Sequence, residues 1–350
     1  MSLMFISVDL KSTFKLALFV FLHASIKILI PVFLFYDDES SRCRWGRLYW
    51  KSSLQKISKR LVKDGHEVVA IDNLSNGSKD NLNDVIKDTR FSFYEFDVNN
   101  TIKLRRVFDS HPFDMVFHLA ANADTAKGEE TPHEDIENSL FTTLNVLEMM
   151  RIYEIKKFFF ASSSTVYGNA VERLQEHRPI MRPISHYGVA KLASEAFVSS
   201  FSSLHNFQVW TARFCNAVGL NMTHGVILDL IRKLNQNPNE LEVYGDGTQT
   251  KPYIWIDDLV DGVMWLLNHA NDAYNAYLVG VDSNVTVERI AQIVMEEVGI
   301  QVPIHYGGEY RGWKGDVHKY SYDVSRLRLM GWTPKYTAEE AIRKAVQMNK

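Results

Sequence analysis

The stretch KFFFASSSTVYG, residues 157–168, joins an apolar run to a cluster of hydroxyl side chains. The run from Lys157 to Ala161 predicts a buried strand, and the serines follow at its carboxyl end. In an α/β sheet, ligands lie beyond the carboxyl ends of the strands. A helical pattern then runs from Tyr187 to Phe201. The stretch therefore predicts a buried strand that delivers polar side chains to a ligand site, followed by a helix.

Further apolar runs separated by helical patterns lie on both sides of this stretch. Strands separated by helices imply parallel βαβ units. The predicted fold class is α/β, a Rossmann-like doubly wound parallel sheet with a smaller C-terminal substrate-binding portion. The expected strands are residues 67–72, 91–97, 115–119 and 209–214, and the expected helices include 57–64, which Gly65 ends, 101–109 and 136–153.

The composition of the 350-residue chain is ordinary for a soluble globular protein, with 46% hydrophobic and 23% charged residues. A formal net charge of -3 gives no reason to expect a nucleic-acid partner. The two cysteines, Cys43 and Cys215, are too few for a disulfide framework or a thiolate metal site. We therefore expect no metal, and a reducing, cytoplasmic environment.

One apolar run, Phe14 to Phe35, is long enough in principle to cross a bilayer of about 30 Å. Lys27 would then lie inside the membrane, at a cost of roughly 2.5–3.5 kcal/mol on insertion scales. Instead of a membrane anchor, we favour the interpretation that the segment is a spurious N-terminal extension followed by a buried first strand near residues 27–30. Membrane contact is expected only if residues 14–35 are a real anchor.

The clearest chemical pattern is YGVAK, residues 187–191. Its spacing places Tyr187 and Lys191 on one helix face, about one turn apart. A nearby ammonium stabilises a phenolate, which lowers the pKa of the tyrosine so that it can exchange protons. Because the hydroxyls of residues 162–165 follow a buried strand, we favour a catalytic site over a serine-rich turn.

From Ile57 to the C-terminus the chain resembles the extended short-chain dehydrogenase/reductase family, most closely its UDP-glucose 4-epimerase group. The motifs that carry the resemblance are VVAIDNLSNG (68–77), FDV (96–98), HLAA (118–121), ASSSTVYG (161–168), YGVAK (187–191), RFCNAVG (213–219), YGDGTQTKPYIWIDD (244–258) and RGWKGD (311–316). The resemblance implies an isomerase that uses NAD and acts on a nucleotide sugar, most readily a UDP-sugar.

The resemblance also implies roles for individual residues. Tyr187 would be the acid/base, Lys191 its electrostatic partner and a ribose ligand, and Ser163 the hydroxyl partner, with Ser164 as the alternative. The carboxylate of Asp72 suits the free ribose hydroxyls of NAD. The other residues expected to bind NAD are Asn73, Asn76, Gly77, Asp97, Val98, Leu119, Ala120 and Ala121. Those expected to bind the substrate, besides Ser163, are Asn216, His224, Gly225, Val226, Tyr244, Lys251 and Arg311.

The residues after Ser163 discriminate among the reactions of the family. Dehydratases and decarboxylases of this family place a carboxylate there, whereas this chain has Ser164, Thr165 and Val166. The difference favours epimerisation at C4 through a 4-keto sugar, in which the nicotinamide takes and returns a hydride. The alternatives are a homologue that has lost catalysis, and a dehydratase or decarboxylase of the same fold.

The family's glycine-rich loop is missing from the N-terminal segment. A first strand should run into Gly-x-x-Gly-x-x-Gly, yet no segment of residues 1–56 contains two glycines. Codons for Arg44 to Ser53, read one nucleotide later, can give Gly-Gly-Ala-Gly-Phe-Ile-Gly-Ser-His, so we hypothesise a frame-shifted translation. Because side chains would block the approach of the pyrophosphate, we predict poor NAD binding, or none, by the chain as written.

The predicted domain organisation follows from these motifs. Residues 1–56 are an aberrant segment, residues 57–215 an NAD-binding Rossmann domain, and residues 216–350 mainly a substrate-binding portion, from which 253–282 returns to the Rossmann domain. Relatives commonly pair through two helices each. By that analogy we expect a homodimer formed by residues 136–153 and 194–201.

Overall fold

A seven-stranded sheet forms the centre of the molecule in the computed structural model, which describes residues 27–32, 50–75, 79–122, 125–170, 173–220, 222, 225–308 and 315–350. Its strands are β1 (Lys27–Val32), β2 (Glu67–Asp72), β3 (Phe91–Glu95), β4 (Met115–His118), β5 (Lys157–Ser163), β6 (Gln208–Phe214) and β11 (Tyr274–Val279). All the strand pairs of this sheet are parallel, and the strand order is β11-β6-β5-β4-β1-β2-β3.

Alternate residues of these strands pack into two hydrophobic cores, one on each face of the sheet. In β2, Val68 and Ala70 belong to one core and Val69 and Ile71 to the other. This two-residue alternation is the geometry of a pleated strand, and apolar side chains on both faces explain the continuous apolar runs in the sequence.

Helices cover both faces of the sheet. One face packs against α1 (Trp50–Lys63) and α8 (Ile256–His269), which also contact each other. The other face packs against α2 (Thr101–Ser110), α5 (Thr142–Ile152) and α6 (His186–His205). Two short helices, α3 (Thr125–Glu130) and α4 (Pro132–Asp135), and a π-helical segment, Ile136–Phe141, lead into α5.

The remaining elements lie mostly beyond β6 in the chain and form three two-stranded sheets with their helices. The strands are β7 (Asn216–Val218), β8 (Leu241–Val243), β9 (Thr250–Lys251), β10 (Tyr253–Trp255), β12 (Val285–Thr286) and β13 (Ile304–Tyr306). The helices are α7 (Val226–Gln236), α9 (Val287–Val298), α10 (Ser325–Leu329) and α11 (Ala338–Asn349). The 315–324 segment connects β9 to the main body through backbone hydrogen bonds, because the His318 carbonyl accepts from Thr250 and the Ser321 carbonyl accepts from Leu174.

The predicted α/β fold class is confirmed. Strand β1 occupies residues 27–32, and Gly65, with a φ of 95°, ends α1 as expected. Helix 136–153 differs from the prediction, because its first turn and a half is a π-helical segment. No helix within the described ranges is long and apolar enough to span a membrane. Residues 14–26, 33–35 and 44–49, which carry the proposed anchor and most of the proposed frame shift, lie outside those ranges.

Candidate active site

The carboxyl ends of β2, β3 and β4 bring together most of the predicted cofactor residues. Asp72 ends β2, is buried, and accepts a hydrogen bond from the Leu74 backbone amide at 2.8 Å. Asn73 hydrogen-bonds the Asp97 carboxylate beyond β3, and burial raises the pKa of that carboxyl group. After β3 and β4, the fully buried residues are Val98, Leu119, Ala120 and Ala121. Asn76 and Gly77 lie outside the described residues.

The catalytic candidates lie at the end of β5 and the start of α6. Ser163 ends β5 and caps a single 3₁₀ turn, Ser164–Tyr167, by accepting a hydrogen bond from the Thr165 amide at 3.2 Å. Ser185 caps α6 by accepting from the Gly188 amide at 3.1 Å. Because a Cβ on Gly188 would lie 2.7 Å from the Thr165 carbonyl oxygen, only glycine permits this close approach of the helix and the turn.

Tyr187 faces Ser163 across this junction. The phenol is buried, and burial, followed by the charge of Asp135, raises its pKa, while the hydrogen bond with the Ser163 hydroxyl acts in the opposite direction. A buried phenol of raised pKa favours the protonated form. Burial therefore favours the protonated form of Tyr187, and Ser163 is the hydrogen-bond partner of its phenol.

Lys191 lies one turn further along α6 and is buried beneath Tyr187. Its Nζ donates to the Ala161 carbonyl oxygen at 2.8 Å and lies 5.8 Å from the centre of the Tyr187 ring. Burial lowers the pKa of Lys191 to about 7, although the carboxylates of Glu195 and Asp135 act to raise it. A lysine with a pKa near neutrality can both stabilise a phenolate and exchange a proton.

A buried ion pair next to these residues was missed by the sequence reasoning. Arg213 of β6 donates to both carboxylate oxygens of Glu195, at 2.9 and 2.6 Å, and also to the Tyr167 hydroxyl at 2.7 Å. Ser162 Oγ donates to Glu195 Oε1 at 2.5 Å. Glu195 is four residues after Lys191, so the helical spacing was the signal that could have found it.

A second polar group lies on the other side of α6. The Asp135 Oδ1 accepts from Asn122 Nδ2 at 2.8 Å, and the Asn122 backbone amide donates to Ser139 Oγ at 3.0 Å. The Ser139 carbonyl in turn accepts from the hydroxyls of Thr143 and Ser194, at 2.6 and 3.4 Å. Ser139 therefore contributes its hydroxyl to the loop after β4.

The predicted substrate residues lie in the C-terminal portion. Asn216 begins β7 and pairs with Tyr253 of β10, while Gly225, with a φ of 107°, precedes Val226 at the start of α7. The ring of Tyr244 lies under Lys233, whose Nζ is 3.6 Å from the ring centre. Lys251 forms an ion pair with the buried Asp316. The predicted residues His224 and Arg311 lie outside the described residues.

Tyr320 links this portion to the catalytic turn. Its hydroxyl accepts a hydrogen bond from Ser164 Oγ at 3.2 Å, and burial raises the pKa of this phenol well above its usual value. The sequence reasoning did not identify Tyr320, because Ser164 and Tyr320 are 156 residues apart and no local pattern pairs them.

A parallel sheet with Ser163 and the buried Tyr187 and Lys191 at its carboxyl edge defines a dinucleotide-dependent enzyme of the short-chain dehydrogenase/reductase type. Residues 55–280 match the model of the NAD dependent epimerase/dehydratase family. The chain belongs to this family, whose cofactor is NAD.

Relatives within the family catalyse more than one reaction. The chain is 26% identical to UDP-glucuronate 4-epimerase of Thermodesulfobacterium geofontis, over 84% of this chain and 92% of the relative. It is 27% identical to UDP-glucuronic acid decarboxylase 1 of Arabidopsis thaliana, over 82% of this chain and 65% of the relative. A solved UDP-galactose 4-epimerase is 30% identical, with a TM-score of 0.76, and the match covers 92% of this chain and 98% of that one.

Proposed function

We propose that the chain epimerises a UDP-sugar at C4, of the UDP-glucose/UDP-galactose type, through a 4-keto intermediate. The observation that carries the proposal is the Ser163–Tyr187–Lys191 arrangement beside a turn without a carboxylate. The similarity to 4-epimerases supports the same reaction. In the proposed scheme, the cofactor supplies a hydride acceptor that returns the hydride to the other face of the sugar.

The residues at the carboxyl edge of the sheet fit NAD. Asp72 presents a buried carboxylate at the end of β2, where a ribose with free hydroxyls would be bound. The small side chains of Ala120 and Ala121 would allow the pyrophosphate to approach the loop after β4. Lys191 would bind the second ribose. Asn73, Asp97, Val98 and Leu119 would complete the adenosine side, with Asn76 and Gly77 expected beside them.

The chain's own residues provide the proton chemistry. As the phenolate, Tyr187 would take the proton from the C4 hydroxyl as the hydride leaves, and as the phenol it would give that proton back when the hydride returns. Ser163, which hydrogen-bonds the phenol, would hold the sugar oxygen next to it. Lys191 would stabilise the phenolate with its ammonium group. The buried positions of Tyr187 and Lys191 would help to exclude water from the keto sugar.

The catalytic turn favours epimerisation over dehydration or decarboxylation. Those reactions need a group that moves a proton next to the ketone. Ser164 occupies the relevant place, and its hydroxyl is hydrogen-bonded to Tyr320, whose raised pKa keeps this phenol protonated. Two neutral hydroxyls are poor bases at neutral pH. The decarboxylase relative nevertheless makes decarboxylation the outcome to exclude first.

The C-terminal portion would hold the nucleotide of the substrate. Lys251 supplies a cation and the start of α7 supplies backbone amides for the diphosphate, with Arg311 and His224 expected nearby. Tyr244 and Asn216 would border the nucleoside. The ion pair with Asp316 already holds the Lys251 ammonium in place, so little ordering would be needed on binding.

Two further proposals concern the state of the protein. Exposed apolar side chains on and next to α5 and α6 support a homodimer, and these are Phe141, Ile152, Val189, Phe197 and Leu204. The small number of cysteines supports a reducing, cytoplasmic compartment.

The near absence of glycine from residues 1–56 favours a second candidate function, that of a homologue that binds the sugar nucleotide without converting it.

Incubation of the purified chain with NAD and UDP-galactose tests the proposed reaction, with products separated by chromatography. We expect UDP-glucose to form when residues 44–52 are replaced by Gly-Gly-Ala-Gly-Phe-Ile-Gly-Ser-His, little or none to form with the chain as written, and Tyr187→Phe in the replaced chain to abolish its formation. In parallel incubations, a UDP-pentose formed from UDP-glucuronate, or a dehydrated keto sugar formed from UDP-glucose, would instead assign the chain to the decarboxylases or dehydratases. Binding of UDP by calorimetry without any conversion would support the non-catalytic homologue.

A further inference from the structure

The buried ion pair of Arg213 and Glu195 contacts the chain on both sides of the catalytic serine. Glu195 Oε1 accepts a hydrogen bond from the Ser162 hydroxyl at 2.5 Å, and Arg213 Nη1 donates to the Tyr167 hydroxyl at 2.7 Å. Ser162 lies immediately before Ser163, and Tyr167 ends the 3₁₀ turn that Ser163 caps. The ion pair therefore holds the chain before and after Ser163.

The guanidinium group of Arg213 makes this double contact possible. Its Nε and Nη2 donate to the Glu195 carboxylate, at 2.9 and 2.6 Å. Its Nη1 donates to the Tyr167 hydroxyl and to the Glu176 carbonyl oxygen, at 2.7 and 2.9 Å. The donors of a guanidinium lie in one plane at fixed angles. The orientation set by the carboxylate therefore also sets the position of the Tyr167 hydroxyl.

Glu195 connects the ion pair to the catalytic helix. Lys191 donates to the Ala161 carbonyl oxygen, and Glu195, one turn later on α6, accepts from Ser162, the next residue of β5. The side chains of Arg213 and Glu195 are 5% and 4% exposed, so water does not compete for these hydrogen bonds. Hydrogen bonds to charged groups that are shielded from water are stronger than those between neutral groups.

Stability alone is a weak explanation for this ion pair. The removal of two charges from water can cost as much free energy as their mutual attraction provides, and apolar side chains of similar volume often stabilise a protein as well. Apolar side chains would, however, bind neither the Ser162 nor the Tyr167 hydroxyl. What the ion pair adds is a fixed point on each side of Ser163.

We propose that Arg213 and Glu195 are positioning residues that fix the catalytic turn, so that the Ser163 hydroxyl stays within hydrogen-bond reach of Tyr187. The catalytic meaning of this role rests on the proposed function, whereas the fixing of the turn does not. When one of the two contacts is lost, the turn opens locally more often, and Ser163 spends less time opposite Tyr187.

Hydrogen exchange in the turn tests its fixing without any turnover. The Thr165 amide donates to Ser163 Oγ and the Gly168 amide to the Thr165 carbonyl oxygen, both at 3.2 Å, so both amides exchange when the turn opens. Tyr167→Phe removes one contact and Ser162→Ala the other, and each variant retains both charges of the ion pair. In either variant of the full chain, NMR should show that these two amides exchange about 10-fold faster or more.

Ser202→Ala is the matched control for these variants. It removes a buried hydroxyl that donates to the Phe207 carbonyl oxygen at 2.8 Å, at the opposite end of α6 from Tyr187. The control should leave the exchange of the two turn amides at the wild-type rate. Exchange that is unchanged in either test variant, or that is equally fast in Ser202→Ala, overturns the proposal.

Turnover by the chain in which residues 44–52 carry the restored glycine loop tests the catalytic meaning. Tyr167→Phe and Ser162→Ala should each lower kcat about 10-fold or more with little change in KM, because the displacement is confined to the reacting centre. Faster exchange with an unchanged kcat would reduce the ion pair to a structural role and overturn the positioning one. If the restored chain converts no UDP-sugar, the proposed function fails, and the exchange rates still decide whether the ion pair fixes the turn.

Discussion

The Lys191 Nζ donates a hydrogen bond to the Ala161 carbonyl oxygen at 2.8 Å, which ties the catalytic helix to the strand that carries the catalytic serine. Ala161 lies two residues before Ser163 on β5, and Lys191 lies one turn after Tyr187 on α6. This one contact therefore sets the spacing between the Ser163 hydroxyl and the Tyr187 phenol.

Tyr187→Phe removes the proposed acid/base and leaves the ring in place. We expect kcat to fall by about 10²–10⁴-fold, the range for loss of a general acid/base, with little change in KM for the UDP-sugar. Steady-state kinetics with UDP-galactose measures both constants, in the chain whose residues 44–52 carry the restored glycine loop. Tyr306→Phe, which removes a hydroxyl from a half-exposed tyrosine on β13, is the control and should retain full activity. Activity retained by Tyr187→Phe would assign the proton transfer to another group.

Lys191→Met should change how stability depends on pH. The pKa of Lys191 is about 7 in the folded chain and about 10.5 when unfolded, so the unfolded state binds more protons between these values. The cost of burying the ammonium is therefore full below pH 7 and disappears as the pH rises towards 10.5. We expect Lys191→Met to gain stability relative to the wild type most at pH 6, and least at pH 10. Urea unfolding at each pH measures the difference, and a difference that is constant with pH contradicts the assignment.

Glu195→Gln should be strongly destabilising. The side chains of Glu195 and Arg213 are 4% and 5% exposed, and removal of one charge leaves the other buried and unpaired. Loss of one partner of such a pair costs about 3–5 kcal/mol in unfolding free energy. The control is Glu296→Gln, whose partner arginines, Arg289 and Arg343, have side chains that are 32% and 34% exposed, and it should leave the urea midpoint nearly unchanged. Equal midpoints for the two variants would show that the buried pair adds nothing.

Gly188→Ala tests the close contact between α6 and the catalytic turn. The added methyl would lie 2.7 Å from the Thr165 carbonyl oxygen and 3.0 Å from Pro183 Cβ, so the helix start must shift. Because a misplacement of about 1 Å can cost 10²-fold in rate, we expect kcat to fall by at least 10-fold. Gly307→Ala, whose methyl would meet nothing closer than 3.6 Å, should leave kcat unchanged. Normal turnover by Gly188→Ala would mean that the turn yields without moving Tyr187.

NAD affinity tests the argument about the missing glycine loop. Residues 1–56 contain one glycine, Gly46, and a pyrophosphate loop needs several. We expect calorimetry to detect weak NAD binding, or none, by the chain as written. Replacement of residues 44–52 by Gly-Gly-Ala-Gly-Phe-Ile-Gly-Ser-His should restore binding. Tight binding by the unaltered chain refutes the prediction, and the underlying codons decide the frame-shift hypothesis separately.

Much of the fold was predictable because the signals are local. The continuous run of buried residues in Glu67–Asp72, the left-handed cap at Gly65 and the apolar run of β5 each lie within one element. The π-helical segment was not predictable. Its Ser139 carbonyl is bonded by the hydroxyl of Ser194, 55 residues away, and no window of sequence contains both.

The candidate site also contains residues that local sequence patterns predict and residues that they do not. Tyr187 and Lys191 are four residues apart on one helix, so their spacing alone suggests a pair. Asp135 is hydrogen-bonded to Asn122 in the loop after β4, and Ser164 meets Tyr320 only because the C-terminal portion folds back on the sheet. Buried polar contacts of this kind depend on packing between separate elements of the chain, so no local sequence pattern predicts them.

The position of β11 beside β6 has a consequence for synthesis of the chain. The last residue of β11, Val279, comes 65 residues after Phe214, the last residue of β6. At about 5–20 residues per second, translation needs roughly 3–13 s to cover that interval. During this time the nascent chain carries β6 as an open edge, whose unpaired amides and carbonyls can pair with another chain. The ribosome-bound protein is therefore most exposed to aggregation while its C-terminal portion is being made.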